Sequence, residues 1–172
     1  MLEKRNIVLI GFMGSGKTLV SNELSSIYQK AVYSSDDLIE QKEGMSIKAI
    51  FEEKGEEYFR KIESQIVGDL SKKEGIIIDC GGGVVLNPVN MKLLKRNGIV
   101  IYLKSSPDSV LKQIRNNDKK RPLLNVENPL QVIEKMMKER APKYEQADYT
   151  VEVANLTLAE ITTKVRKIID HE

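Results

Sequence analysis

One cysteine in 172 residues excludes an intramolecular disulfide, so Cys80 suits a reducing compartment and reads as a small buried residue. The sole histidine, His171, stands at the C-terminal edge and is given no role. No apolar run approaches the roughly 20 residues that span a bilayer, which argues against a membrane partner. The start, Met1 to Arg5, is charged and runs straight into an apolar segment, so no signal peptide is expected and the expected location is cytoplasmic. The 27 basic and 25 acidic residues leave a net charge of +2 with no basic block, which argues against nucleic acid as a partner. Repeats, linkers and low-complexity tracts are missing. The chain reads as a single domain over residues 1–172, at 41% hydrophobic and 30% charged.

What is present begins with Gly11-Phe12-Met13-Gly14-Ser15-Gly16-Lys17-Thr18, which fits the phosphate-cradling pattern G-x-x-x-x-G-K-[ST]. Asn6 to Ile10 before it reads as a buried strand. Val20, Leu24, Ile27 and Tyr28 after it recur at helical spacing, so a helix is expected from Lys17. Glycines here let backbone N–H groups close around phosphate oxygens at a helix N-terminus. Gly14, Ser15, Gly16, Lys17 and Thr18 form the expected nucleotide-binding set. Lys17 would reach the β- and γ-phosphates of ATP, and the Thr18 hydroxyl would hold Mg²⁺.

Strand and helix then alternate. Ala31 to Tyr33 reads as a second strand, followed by a helical stretch from Leu38 to Lys42. Ser46 can cap a helix closed by Gly55, and Phe59, Ile62, Ile66 and Leu70 mark a longer one. Ile76 to Asp79 is a third strand, ending in Cys80-Gly81-Gly82-Gly83. Asn87-Pro88 starts a helix, Ile99 to Leu103 is a fourth strand, and Ser106-Pro107 opens another helix. The polar, basic segment 116–125 interrupts the alternation. A helix to Tyr144, a strand near Tyr149 and a capping box at Thr157 and Glu160 complete the chain. This pattern predicts an α/β fold, a three-layer αβα sandwich around a five-stranded parallel sheet; with its phosphate loop the chain resembles the P-loop architecture of nucleoside monophosphate kinases.

Outside the phosphate loop, several ordered blocks resemble the shikimate kinase family from about Asn6 to Val153. They are Asp36 with Ile39-Glu40, Gly55-Glu56 leading to Phe59-Arg60-Lys61-Ile62-Glu63, Gly81-Gly82-Gly83, Arg121-Pro122-Leu123-Leu124, and Arg140-Ala141-Pro142-Lys143-Tyr144. The resemblance implies ATP-dependent phosphorylation of the 3-hydroxyl of shikimate, with shikimate and ATP as substrates, Mg²⁺ as cofactor and a monomeric enzyme. It makes Lys17, Asp36 and Arg121 catalytic. Arg121 also contacts nucleotide from a mobile lid over about 116–125. Asp36, Arg60, Gly82, Gly83 and Arg140 would bind shikimate, within and beyond a substrate segment over about 34–62.

Each assignment has a plainer alternative. Guanidinium suits a carboxylate because it is planar, bidentate and always charged. Yet Arg60 could be a solvated helix residue, and Arg140 a cation complementing a helix C-terminus. Asp36 could be a helix N-cap, and Arg121 part of a solvated basic loop. The family usually carries Asp-x-Asp where this chain has Ser34-Ser35-Asp36, so the acid that helps hold Mg²⁺ is missing at Ser34. Asp79 is expected to take over that role with Thr18; its alternative is a local cap or a partner for Lys17. Other functions to weigh are another small P-loop kinase, such as one for gluconate or a nucleoside monophosphate, and a non-catalytic nucleotide-binding relative.

Overall fold

The apolar segments form the parallel strands β1 (Asn6–Ile10), β2 (Val32–Ser34), β3 (Ile77–Asp79), β4 (Gly98–Lys104) and β5 (Tyr149–Glu152). Their order across the sheet is β2-β3-β1-β4-β5. The computed structural model describes residues 4–116 and 126–172. Arg121, and the expected lid apart from Asn116, lie outside the described residues. The helices are α1 (Lys17–Tyr28), α2 (Ser35–Glu43), α3 (Ile47–Leu70), α4 (Pro88–Asn97), α5 (Pro107–Asn116), α6 (Pro129–Tyr144) and α7 (Leu158–Ile169).

Two cores follow from the period of two along buried strands. Ile7, Leu9, Ile99, Ile101 and Leu103 pack with Val20 and Leu24 of α1 and with Ile161 and Val165 of α7. Val8, Ile10, Val100 and Tyr102 face the other way, against α3 to α6. The step from β1 to β2 crosses the sheet in the opposite sense to the steps from β2 to β3, β3 to β4 and β4 to β5. Right-handed crossovers therefore put α1 on one face and α2 to α6 on the other. The chain leaves β1 and β3 toward opposite faces, which opens a crevice at their carboxyl ends.

Helix starts obey local chemistry. The Ser34 hydroxyl accepts from the Asp37 N–H at 3.2 Å, so α2 begins at Ser35, earlier than its apolar spacing suggested. The cap considered for Asp36 is thus filled by Ser34, and Asp36 falls in the first turn, where its charge complements the helix dipole. Ser46 caps α3 by accepting from the Ala49 N–H at 3.2 Å. Asn87 caps α4 ahead of Pro88, and Thr157 with Glu160 forms the capping box of α7. Phe59, Ile62, Ile66 and Leu70 are buried, as their spacing predicts.

Helix α3 is broken at Gly55, whose φ of 83° and ψ of 169° lie in a region essentially reserved for glycine. The break divides residues 47–54 from the straight run that carries Arg60. An added Cβ would meet nothing within 4 Å, so the demand here is conformational and not steric. Gly55→Ala is expected to cost about 1–3 kcal/mol in urea unfolding, the usual magnitude for a side chain forced into such a region.

Candidate active site

Pairing of β1 with β3 sets Leu9 opposite Asp79, so the segments leaving these strands lie side by side. A Cβ on Gly82 would approach the Met13 backbone nitrogen to 3.4 Å. The phosphate loop closes with a hydrogen bond from the Ser15 N–H to the Phe12 carbonyl at 3.2 Å. Gly16, at φ 90°, turns the chain into α1, whose N-terminus faces the crevice. Lys17 is buried, and its ammonium donates to the carbonyls of Gly11 at 2.8 Å and Phe12 at 3.2 Å. The Ser15 hydroxyl is buried in the cradle without a hydrogen-bond partner among the described residues.

Asp79 ends β3 at 6% exposure and accepts from the Thr18 hydroxyl at 2.6 Å. Burial pushes its carboxyl pKa up, and the Thr18 hydrogen bond and Lys17 pull it back. In the sheet register Asp79 is also opposite Ser34. The acid therefore stands directly across from the serine that lacks one.

Asp36 reaches the crevice because the first glycine of the triplet gives way to it. A Cβ on Gly81 would lie 2.3 Å from Asp36 Oδ1, while the Gly81 N–H donates to Ser35 Oγ at 2.9 Å. Burial raises the Asp36 carboxyl pKa above the ordinary value; Lys17 opposes this, and Asp79, Asp37 and Glu40 add to it.

The last glycine makes room for Arg60. A Cβ on Gly83 would lie 2.3 Å from Arg60 Nη1. On α3, Arg60 donates to Glu63 Oε2 at 2.9 Å and to Glu56 Oε1 at 3.3 Å, with its guanidinium 5.0 Å from the Phe59 ring centre. Glu63 is 1% exposed, and its second oxygen has no hydrogen-bond partner among the described residues. Burial raises its carboxyl pKa against the pull of Arg60. Arg60 is thus no freely solvated helix residue. Arg140, near the end of α6, lies 5.6 Å from the Phe12 ring centre, with Nη1 3.5 Å from the Gly82 carbonyl.

A polar cavity of about 330 Å³ is lined by Lys17, Thr18, Asp36, Asp79, Gly81 and Gly82. Arg60 and Arg140 adjoin it through the glycine triplet. Across the phosphate loop, a second cavity of about 240 Å³ is lined by Gly14, Ser15, Gly16, Leu19, Lys112 and Asn155. Sequence reasoning gave no role to Glu63, Tyr144, Lys112 or Asn155. Glu63 carried a signal, being a carboxylate inside the Phe59–Ile62–Ile66 apolar stripe. Lys112 and Asn155 carried none, since they meet only when α5 and the segment after β5 pack around the loop.

This fold and this crevice define a P-loop small-molecule kinase. A sequence model of the shikimate kinase family matches residues 13–170. The shikimate kinase of Caldanaerobacter subterraneus subsp. tengcongensis is 44% identical over 161 residues, covering 94% of this chain and 94% of that protein. The shikimate kinase of Dehalococcoides mccartyi strain 195 is 43% identical, covering 98% of this chain and 96% of the relative. The structure of Acinetobacter baumannii shikimate kinase in complex with shikimate superposes with a TM-score of 0.90 at 36% identity, covering 97% of this chain and 93% of that one. The chain belongs to the shikimate kinase family.

Burial of Asp36 has a consequence for stability. Its folded pKa is raised, so the native state holds the proton more tightly than the unfolded chain does. The stability this contributes is present below the unfolded value of about 3.9 and is lost as pH rises through the folded value. At neutral pH the ionised side chain is a net burden. Asp36→Asn is therefore expected to raise the melting temperature at pH 7, with the gain shrinking toward pH 3, while turnover falls by roughly 10²–10⁴-fold. Calorimetric scans across pH, alongside an activity assay, check both halves.

Proposed function

We propose that this chain transfers the γ-phosphoryl group of ATP to the 3-hydroxyl of shikimate, giving shikimate 3-phosphate and ADP. The observation that carries the reading is the glycine triplet, seated between the Asp36 carboxylate at Gly81 and the Arg60 guanidinium at Gly83. A ring bearing hydroxyls and one carboxylate needs a proton acceptor at one end and a fixed cation at the other. Backbone donors must lie close between them. Asp36 accepts or orients the proton of the attacking hydroxyl, and Arg60 and Arg140 hold the carboxylate. Gly82 and Gly83 let the backbone approach the ring.

The phosphates occupy the cradle of Gly14 to Thr18, where the unpartnered Ser15 hydroxyl and the N-terminus of α1 favour an anion. Lys17 follows the transferring group from its anchorage on the loop carbonyls. The nucleoside then lies across the loop, in the cavity that includes Lys112 and Asn155. Arg121, assigned by resemblance to the lid over 116–125, offsets charge on the transferring group.

The chemistry also requires Mg²⁺. The described residues contain no cluster of three or more His, Cys, Asp or Glu able to hold a metal. That fits this ion, which is commonly bound through one or two carboxylates together with substrate phosphates. The Thr18 hydroxyl and the Asp79 carboxylate, already 2.6 Å apart, are the groups that would hold it. Bound there, it would neutralise charge on the β- and γ-phosphates. The register that sets Asp79 opposite Ser34 supports this role and weighs against a non-catalytic relative. The reading includes a monomer acting in the cytoplasm; no described helix is long and apolar enough to cross a membrane. A coupled ADP-release assay with shikimate, gluconate and nucleoside monophosphates tests the assignment, and turnover of either rival in place of shikimate overturns it.

Arg60→Ala and Arg140→Ala are each expected to weaken shikimate binding by roughly ten- to a hundredfold in calorimetry, while ATP affinity is nearly unchanged. Loss of a charge-assisted hydrogen bond costs about 1.5–3 kcal/mol. Normal shikimate binding by both variants would place the carboxylate elsewhere.

Asp79→Asn is expected to lower kcat on the order of a hundredfold, as for one lost electrostatic contact to developing charge. It should also raise the Mg²⁺ concentration needed for half-maximal rate. Ser34→Asp in that background restores part of the loss, because it returns a carboxylate to the register partner. An unchanged Mg²⁺ titration would show that the metal is held without Asp79.

A further inference from the structure

Three glycines in succession pose an orientation problem. A peptide between two glycines can reverse its C=O and N–H directions at little steric cost, since neither flanking residue has a Cβ to restrict φ. If the Gly82 carbonyl turned toward the crevice, it would present an acceptor to an anionic substrate. Some contact must select the other orientation.

Tyr144 supplies it. Its hydroxyl donates to the Gly82 carbonyl, and the Arg140 guanidinium lies close enough to pull its pKa down against burial. The ring is 1% exposed and stacks on Tyr102, with centroids 4.9 Å apart and planes 11° from parallel. A side chain held that way has no freedom to follow a moving loop. The peptide is trans, so fixing the Gly82 carbonyl on this buried hydroxyl sends the Gly83 N–H the opposite way, away from the Tyr144 ring. Burial pushes the Tyr144 hydroxyl pKa up, so it stays a donor at neutral pH. Arg140 also reaches the same carbonyl, at 3.5 Å. A guanidinium that turns to meet a carboxylate gives up such a bond, and the tyrosine then holds the peptide alone.

We infer that Tyr144 is a positioning residue for the proposed reaction: it locks the Gly82–Gly83 peptide with the Gly83 N–H presented to the ring substrate. The inference rests on the shikimate assignment above. It gives the buried hydroxyl a task that packing does not require, because phenylalanine would fill the same volume and stack on the same ring.

The test has two arms. In the unaltered enzyme, added shikimate is expected to shift the Gly83 amide resonance in ¹H–¹⁵N NMR. An unmoved Gly83 amide in a sample that binds shikimate by calorimetry overturns the inference while leaving the proposed function standing. In Tyr144→Phe, KM for shikimate is expected to rise about three- to tenfold, the size of one lost neutral hydrogen bond. The Gly83 shift should shrink, while KM for ATP and the melting temperature stay close to their original values. Unchanged KM for shikimate, or parallel losses in ATP affinity and melting temperature, would make Tyr144 a packing residue and overturn the proposal. Failure of the unaltered enzyme to turn over shikimate would remove the assignment on which the inference depends.

Discussion

Leu9 stands opposite Asp79 because β1 pairs with β3, and the crevice depends on that register. Side chains alternate along strands, so Asp79 shares the face of Ile77, which packs in the core beneath α1. The carboxylate is thereby carried to the first turn of α1 and meets Thr18. A slip of one residue would turn it to the face of Ile78, among the apolar side chains of the other core. The same pairing lays Gly82 against the phosphate loop at Met13. Phosphate cradle, acid and glycine triplet are therefore one consequence of two paired strands.

Around that crevice the protein holds an arrangement that stability alone would not select. Asp36, Glu63 and Asp79 all have carboxyl pKa values raised chiefly by burial, so each ionised group is less comfortable folded than in water. Lys17, Arg60 and Arg140 lie among them and offset part of the effect. Buried charge is costly to leave unpaired, which is why such a set is expected where chemistry needs it. The unpartnered hydroxyl of Ser15 belongs to the same picture. A donor has been left open in the loop where the proposed phosphates would sit.

The glycine triplet lies directly against two charged side chains. Its first member admits the Asp36 carboxylate and its last admits the Arg60 guanidinium, each closer than any Cβ allows. The middle residue is tied through its carbonyl to α6 by Tyr144 and Arg140. Three helices, α2, α3 and α6, thus converge on three consecutive residues. Helix α3 in turn depends on the Gly55 break, which lets residues 47–54 leave the axis of the run that positions Arg60.

Much of this was legible in the chain because its signals are local. The phosphate loop announces itself through glycine spacing next to Lys17 and Thr18. The strands are short apolar runs, and the caps at Ser46, Asn87 and Thr157 are written in residue type. Such features depend on neighbours within a few positions, where backbone geometry is the same in every protein. Tertiary structure decided the rest. That Ser34 faces Asp79 across the sheet follows from strand pairing over 45 residues of separation. That Glu63 is buried beside Arg60, and that Tyr144 grips Gly82 over 62 residues, depends on how helices dock. The sequence alone determined which residues carry charge, hydroxyl or no side chain at all. Only the packed fold decided which of them meet, because side-chain contact between distant segments is set by strand register and helix docking, neither of which any single stretch encodes.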